Sequence, residues 1–143
     1  MKLVNFGLST PSFGIELVGL EVFWDLHNTW SFQGVSLNTK NNTAVMRWMI
    51  DGRPSTTLSL IFTNLKLLSI SERADDLPLS EDLCVSSVSK VLPEPNPEPA
   101  FRMKAQWDSN EAFHLLFQFQ SGRSIEIDAE TVELRGLEAT DDA

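Results

Sequence analysis

Asp25 and His27, two apart in Asp25-Leu26-His27, are the residues whose types could move a proton. On a strand they would share one face. With His114, the only other histidine, they could act as acid and base or contribute to a metal site. A metal needs further ligands at matching spacing, and the chain contains no HxH, HExxH or CxxC. The competing reading is structural: Asp25 or His27 satisfies backbone groups at a strand end. Cys84 could be a nucleophile only with a histidine beside it in space, and its setting, Leu83-Cys84-Val85, is one in which thiols are buried and inert. No G-x-S-x-G elbow and no phosphate-binding glycine loop is present. The expectation is no catalytic residue, no metal and no cofactor.

The aromatic residues carry more information. There are four tryptophans, nine phenylalanines and no tyrosine, so the usual amphipathic binding aromatic is missing and most rings should fill a core. Trp30, beside His27 and Asn28, and Trp48, in phase with Met46 and Ile50, are the two that could instead anchor an interface or floor a ligand cleft.

The elements that must position these groups are strands. Phe101, Met103, Ala105 and Trp107 alternate with Arg102, Lys104 and Gln106; Phe113, Leu115, Phe117 and Phe119 alternate largely with His114, Gln118 and Gln120; Ile125 and Ile127 alternate with Ser124, Glu126 and Asp128. Such period-two patterning gives an antiparallel sheet with one dry and one wet side. Earlier, Phe32 to Leu37 and Ala44 to Ile50 flank Asn38-Thr39-Lys40-Asn41-Asn42, a hairpin turn composition. Thr57 to Phe62 follows the turn Asp51-Gly52-Arg53-Pro54, and Leu65 to Ile70 continues it past a bulge at Asn64, where the apolar parity slips. Lys2 to Leu8 reads as one short strand. Residues 13–27 read as a strand broken near Gly19, with a short amphipathic helix as competitor.

The expected fold is mainly β, or α+β if that one short helix forms. Its antiparallel meander should build either a two-sheet sandwich or a strongly curved half-barrel. One β-rich domain should span 1–143. Within it Pro93-Glu94-Pro95-Asn96-Pro97-Glu98-Pro99 forms an extended crossover between an N-terminal and a C-terminal meander, and 138–143 is an acidic, frayed tail. A small strand, Leu83 to Val91, is expected to present an unpaired edge.

Charge narrows the partner classes. With 20 acidic and 11 basic residues the net charge is −9, which disfavours nucleic acid and anionic membranes and suits a basic protein. The acidic surface comes chiefly from the turn-rich stretch holding Glu72, Asp75, Asp76, Glu81 and Asp82. A single cysteine asks for no oxidising compartment, no signal peptide is recognisable and no apolar run reaches membrane-span length, so the expected location is cytoplasmic.

Phe23-Trp24-Asp25-Leu26-His27-Asn28-Thr29-Trp30, running into Phe32-Gln33-Gly34-Val35-Ser36-Leu37, resembles the opening of small β-rich bacterial domains, among them immunity proteins of polymorphic toxin systems. Phe113 to Ile127 is similar in style to their closing hairpin. The likeness covers only part of the chain, and Asn28 stands where that pattern prefers Asp. It implies a non-enzymatic domain that binds and neutralises a partner, a role in which acidity would suit a basic nuclease-like toxin. The alternative is a small-molecule-binding barrel, or an enzyme, with a cleft near Asp25, His27, Trp30 and His114.

Overall fold

A computed structural model of the chain describes residues 1–8, 16–19, 22–27, 29–50, 53–91 and 112–137. The Phe101 to Trp107 run, the 93–99 crossover, the 138–143 tail and part of the Asp51-Gly52 turn lie outside the described residues.

Among the described residues ten strands form in chain order: β1 (Lys2–Val4), β2 (Phe6–Leu8), β3 (Glu16–Gly19), β4 (Val22–Asp25), β5 (Trp30–Asn38), β6 (Thr43–Ile50), β7 (Arg53–Ile70), β8 (Val85–Val91), β9 (His114–Phe119) and β10 (Ser124–Leu137). The larger sheet has the order β5-β6-β7-β10-β9-β8, with β1 added in parallel beside the later part of β10. It is a curled half-barrel built from two antiparallel meanders, β5-β6-β7 and β8-β9-β10, joined through β7 and β10. A second, small antiparallel sheet has the order β2-β3-β4.

The curl is visible in ring contacts. Four strand spacings separate β5 from β9, which in a flat sheet would be about 19 Å, yet the Phe32 and Phe119 ring centroids are 4.9 Å apart. Trp48 of β6 lies 6.0 Å from Phe117 of β9 across the same interior. Inward residues follow the parity read from sequence: Leu58, Leu60 and Phe62 of β7, Leu115, Phe117 and Phe119 of β9, and Ile125 and Ile127 of β10 are all buried in one core. Leu17 and Leu26, from the small sheet and the turn after it, belong to that same core.

Irregularities let the sheet roll. Asn64 takes φ 55°, and the β7–β10 register shifts near it, between Asp128 and Ala129. The strict even-numbered inward packing of Leu58, Leu60 and Phe62 ends there: beyond the bulge Leu65 and Leu68 pack against the core while Leu67 is exposed. The Asn64 amide donates to Glu130 Oε2 at 2.6 Å. A second shift falls between Phe32 and Gly34, where Gly34 adopts φ 114°, a conformation that a side chain would strain.

Two sequence expectations need correction, and a third is decided between its alternatives. Lys2 to Leu8 is two strands, because Asn5 at φ 71° turns the chain from the large sheet into the small one. Of residues 13–27, the described ones follow the strand reading broken near Gly19: β3 and β4 pair antiparallel. Val18 and Phe23, which favour strand, pair across that hairpin. Finally, β8 begins at Val85, because Leu79–Leu83 forms a 3-10 turn.

The small sheet depends on a missing side chain. A Cβ at Gly19 would lie 2.0 Å from the Asn5 backbone oxygen and 2.8 Å from the Phe6 Cβ. Gly19→Ala must therefore push β2 away from β3 and is expected to cost about 1–3 kcal/mol. Its urea midpoint should fall and the Trp24 environment change in fluorescence; an unaltered midpoint would contradict the close approach.

Candidate functional site

The residues with chemical potential fall into three places. At the first, the turn after β4 meets the start of β8. Asp25 Oδ1 accepts a hydrogen bond from the His27 backbone N–H at 2.9 Å. His27 Nδ1 lies 2.9 Å from the Val85 carbonyl oxygen and 3.2 Å from Cys84 Sγ. The fold thus brings a histidine to the cysteine across 57 residues, which no local pattern announces.

The proton positions decide what this contact can do. A carbonyl oxygen only accepts, so the short approach to Val85 requires the proton on His27 Nδ1. That nitrogen then has no lone pair to take a proton from sulfur. Cys84 Sγ instead donates to the His27 carbonyl at 3.3 Å. Burial pushes the thiol above its ordinary value of 9.0, and the charges of Glu81 and Asp25 push it further. Imidazole and thiol together tie the β4–β5 turn to the leading end of β8, with the sulfur held as a neutral thiol.

His114 lies elsewhere. Its strand position pairs with Val91, while His27 contacts Val85, so the two histidines sit at opposite ends of β8, about 20 Å apart along the strand. His114 shares the outer face with Glu126 and Asp128, its Nδ1 2.7 Å from Glu126 Oε2 and its Nε2 3.5 Å from Asp128 Oδ2. Trp30 is 6% exposed and packs on Trp24 with ring centroids 5.3 Å apart. Asp25 and His27 are therefore brought together, Trp30 is in the core, and His114 is remote. Among the described residues no group of three His, Cys, Asp or Glu side chains is arranged to hold a metal ion. Trp24 donates its indole N–H to the Gly19 carbonyl at 3.0 Å, whereas that of Trp48 is buried without a partner.

The third place is the strap of residues 71–84 between β7 and β8. Arg73 stitches it: Nε reaches both Asp82 carboxylate oxygens, at 2.9 and 3.2 Å, and Nη2 donates to the Leu77 and Pro78 carbonyls, each at 2.9 Å. Backbone bonds from Ser71 to Ser124 and from Ala74 to Ser121 dock the strap on the β9–β10 turn. Glu72, Asp75 and Asp76 are exposed, while Glu81 and Asp82 are half-buried. Beside them stand apolar side chains the composition did not flag as surface: Ile70 is 51% exposed, Leu79 74% and Leu83 43%, with Leu77 also exposed.

Under this strap lies a cleft of about 290 Å³ that no motif indicated. It occupies the seam where β5, one edge of the half-barrel, approaches the 3-10 turn. Phe32, Phe119 and Ile125 form its buried floor, and Gly34, Val35, Ile70, Asp82, Leu83 and Arg123 are among its walls. No helix among the described residues is long and apolar enough to cross a membrane. No protein-family model, curated protein or solved structure matches the chain.

Two measurements check the electrostatics. Iodoacetamide should alkylate Cys84 in the folded protein several-fold more slowly than in the urea-unfolded chain at pH 8, since the raised folded-state value leaves less thiolate; equal rates would mean an activated sulfur. The Asp82 carboxyl is held below its ordinary 3.8, chiefly by the Ser121 hydrogen bond and then by Arg73 and Arg123, against an opposing effect of burial. A depressed folded-state value means that its stabilisation is complete above 3.8 and is lost as pH falls through the lower folded value. The difference in urea midpoint between the protein and Asp82→Asn should accordingly be constant near neutrality and shrink in acid.

Proposed function

We propose that this chain is a non-enzymatic binding protein that presents the 70–83 face to a basic protein partner. The observation that carries this reading is the exposure of Leu79, Leu83 and Ile70 beside Glu72, Asp75 and Asp76. A centre of exposed aliphatic side chains with a charged rim is the arrangement of a protein interface: the apolar centre supplies desolvation on contact, and the rim selects and steers a partner of opposite sign. The net charge of −9 adds a long-range attraction for a cationic surface.

Two further facts favour binding over catalysis. The most reactive constellation, Cys84 with His27, has its protons committed to carbonyl oxygens. The strap that carries the exposed side chains is braced by Arg73 and docked on the β9–β10 turn, so the face is pre-organised and little ordering entropy remains to be lost on association. An immunity-type role, neutralising a basic toxin by covering it, is the specific form of this reading.

The test is a comparison of baits on extract from the native host. The unaltered protein should retain a basic protein that elutes as salt rises, Leu79→Glu should lose it, and Asp75→Lys with Asp76→Lys should weaken it by about tenfold or more. Retention of the same proteins by all three baits, with no dependence on salt, would overturn the reading.

A further inference from the structure

We propose that the seam cleft binds a small organic carboxylate, its apolar body on Phe32, Phe119 and Ile125 and its charge on the Arg123 guanidinium. The cleft shares Ile70 and Leu83 with the face assigned to a protein partner, but its charged group, Arg123, lies outside that face and its occupancy does not depend on the protein-binding reading. Arg123 lines the cleft, its Nε is buried and takes no hydrogen bond, and no carboxylate lies within ion-pair distance of its guanidinium among the described residues. A half-buried cation without a direct ion pair is costly in a folded protein, and the lack is conspicuous in a chain with nearly twice as many acids as bases.

The nearest candidate counter-charge is already used. Asp82 feels Arg123 through space, but its two oxygens are taken by Arg73 Nε, and Ser121 adds a further hydrogen bond. Arg73 Nε and Nη2 both have partners, whereas among the described residues the Arg123 side chain makes no hydrogen bond or ion pair. An arriving carboxylate supplies the two parallel acceptors that a guanidinium matches. The adjacent Asp82 charge repels a dianion more than a monoanion, which selects carboxylate over phosphate. Ile70 and Leu83, half exposed at the rim, would be covered by the ligand's apolar body. The volume of about 290 Å³ sets the scale at a one- or two-ring acid.

The experiment titrates the protein with 2-naphthoate, the uncharged 2-naphthamide and inorganic phosphate, following the backbone amides of Gly34, Phe119 and Arg123 by NMR. Saturable shifts with naphthoate are expected, at an affinity about tenfold or more above that for the amide, and none with phosphate at the same concentration. Arg123→Gln should reduce naphthoate to the level of the amide, while Leu83→Trp, filling the mouth from its exposed rim, should abolish both. No saturable shift, equal affinity for acid and amide, or a phosphate response equal to that of naphthoate overturns the proposal. Unchanged naphthoate binding by Arg123→Gln does so too. Should that variant fail to fold, the acid-to-amide ratio on the unaltered protein and the Leu83→Trp result decide.

Discussion

The inward aromatic contacts of Phe32 with Phe119 and of Trp48 with Phe117 hold the large sheet in its rolled shape, and most other features follow from that roll. Six strands laid flat would leave one apolar face without cover. Rolling folds that face on itself, and the small β2-β3-β4 sheet adds Leu17 to the same interior. A twisted ladder bends this far only where extra residues interrupt it, and register shifts occur between β5 and β6, between β6 and β7, between β7 and β10 and between β8 and β9. The curl stops short of a closed ring. Among the described residues no ladder joins β5 to β8, and the remaining gap is bridged by the 71–84 strap and occupied in part by the cleft.

The polar chemistry of this protein is largely consumed in holding that geometry. His27 and Cys84 fasten a turn to the leading end of an edge strand. Asp82 and Arg73 brace the strap from within, and His114 bridges carboxylates on the outer face. In each case a group that could have served catalysis instead satisfies a carbonyl or an opposite charge, as buried polar atoms must. Among the described residues Trp48 Nε1 and Arg123 Nε depart from this economy, and of the two only Arg123 carries a charge.

Local patterning in the sequence made much of the fold legible. The alternation from Phe113 to Ile127 marked both β9 and β10, the parity slip marked the bulge at Asn64, and Gly19 marked the break between β3 and β4. Each of these is a short-range signal, written within a few residues of its effect. The division of Lys2 to Leu8 was hidden because it rests on one left-handed asparagine, a type common enough in ordinary turns to give no warning. The meeting of His27 with Cys84, the burial of Trp30 and the exposure of Leu79 were hidden for a different reason. They depend on which distant strands become neighbours once the sheet rolls, and period-two patterning is silent about that. Arg123 could not be singled out either, since nothing in its surroundings in the chain indicates whether a partner awaits it.

The parallel pairing of β1 with the later half of β10, Lys2 opposite Thr131 through Val4 opposite Glu133, joins the first and the last of the described strands. During synthesis β1 is made with its docking edge still to be translated, and it must wait until Glu133 has followed. The same contacts carry a high loop-closure entropy. The half-barrel is therefore sealed late, and a chain without β10 leaves part of its dry surface uncovered.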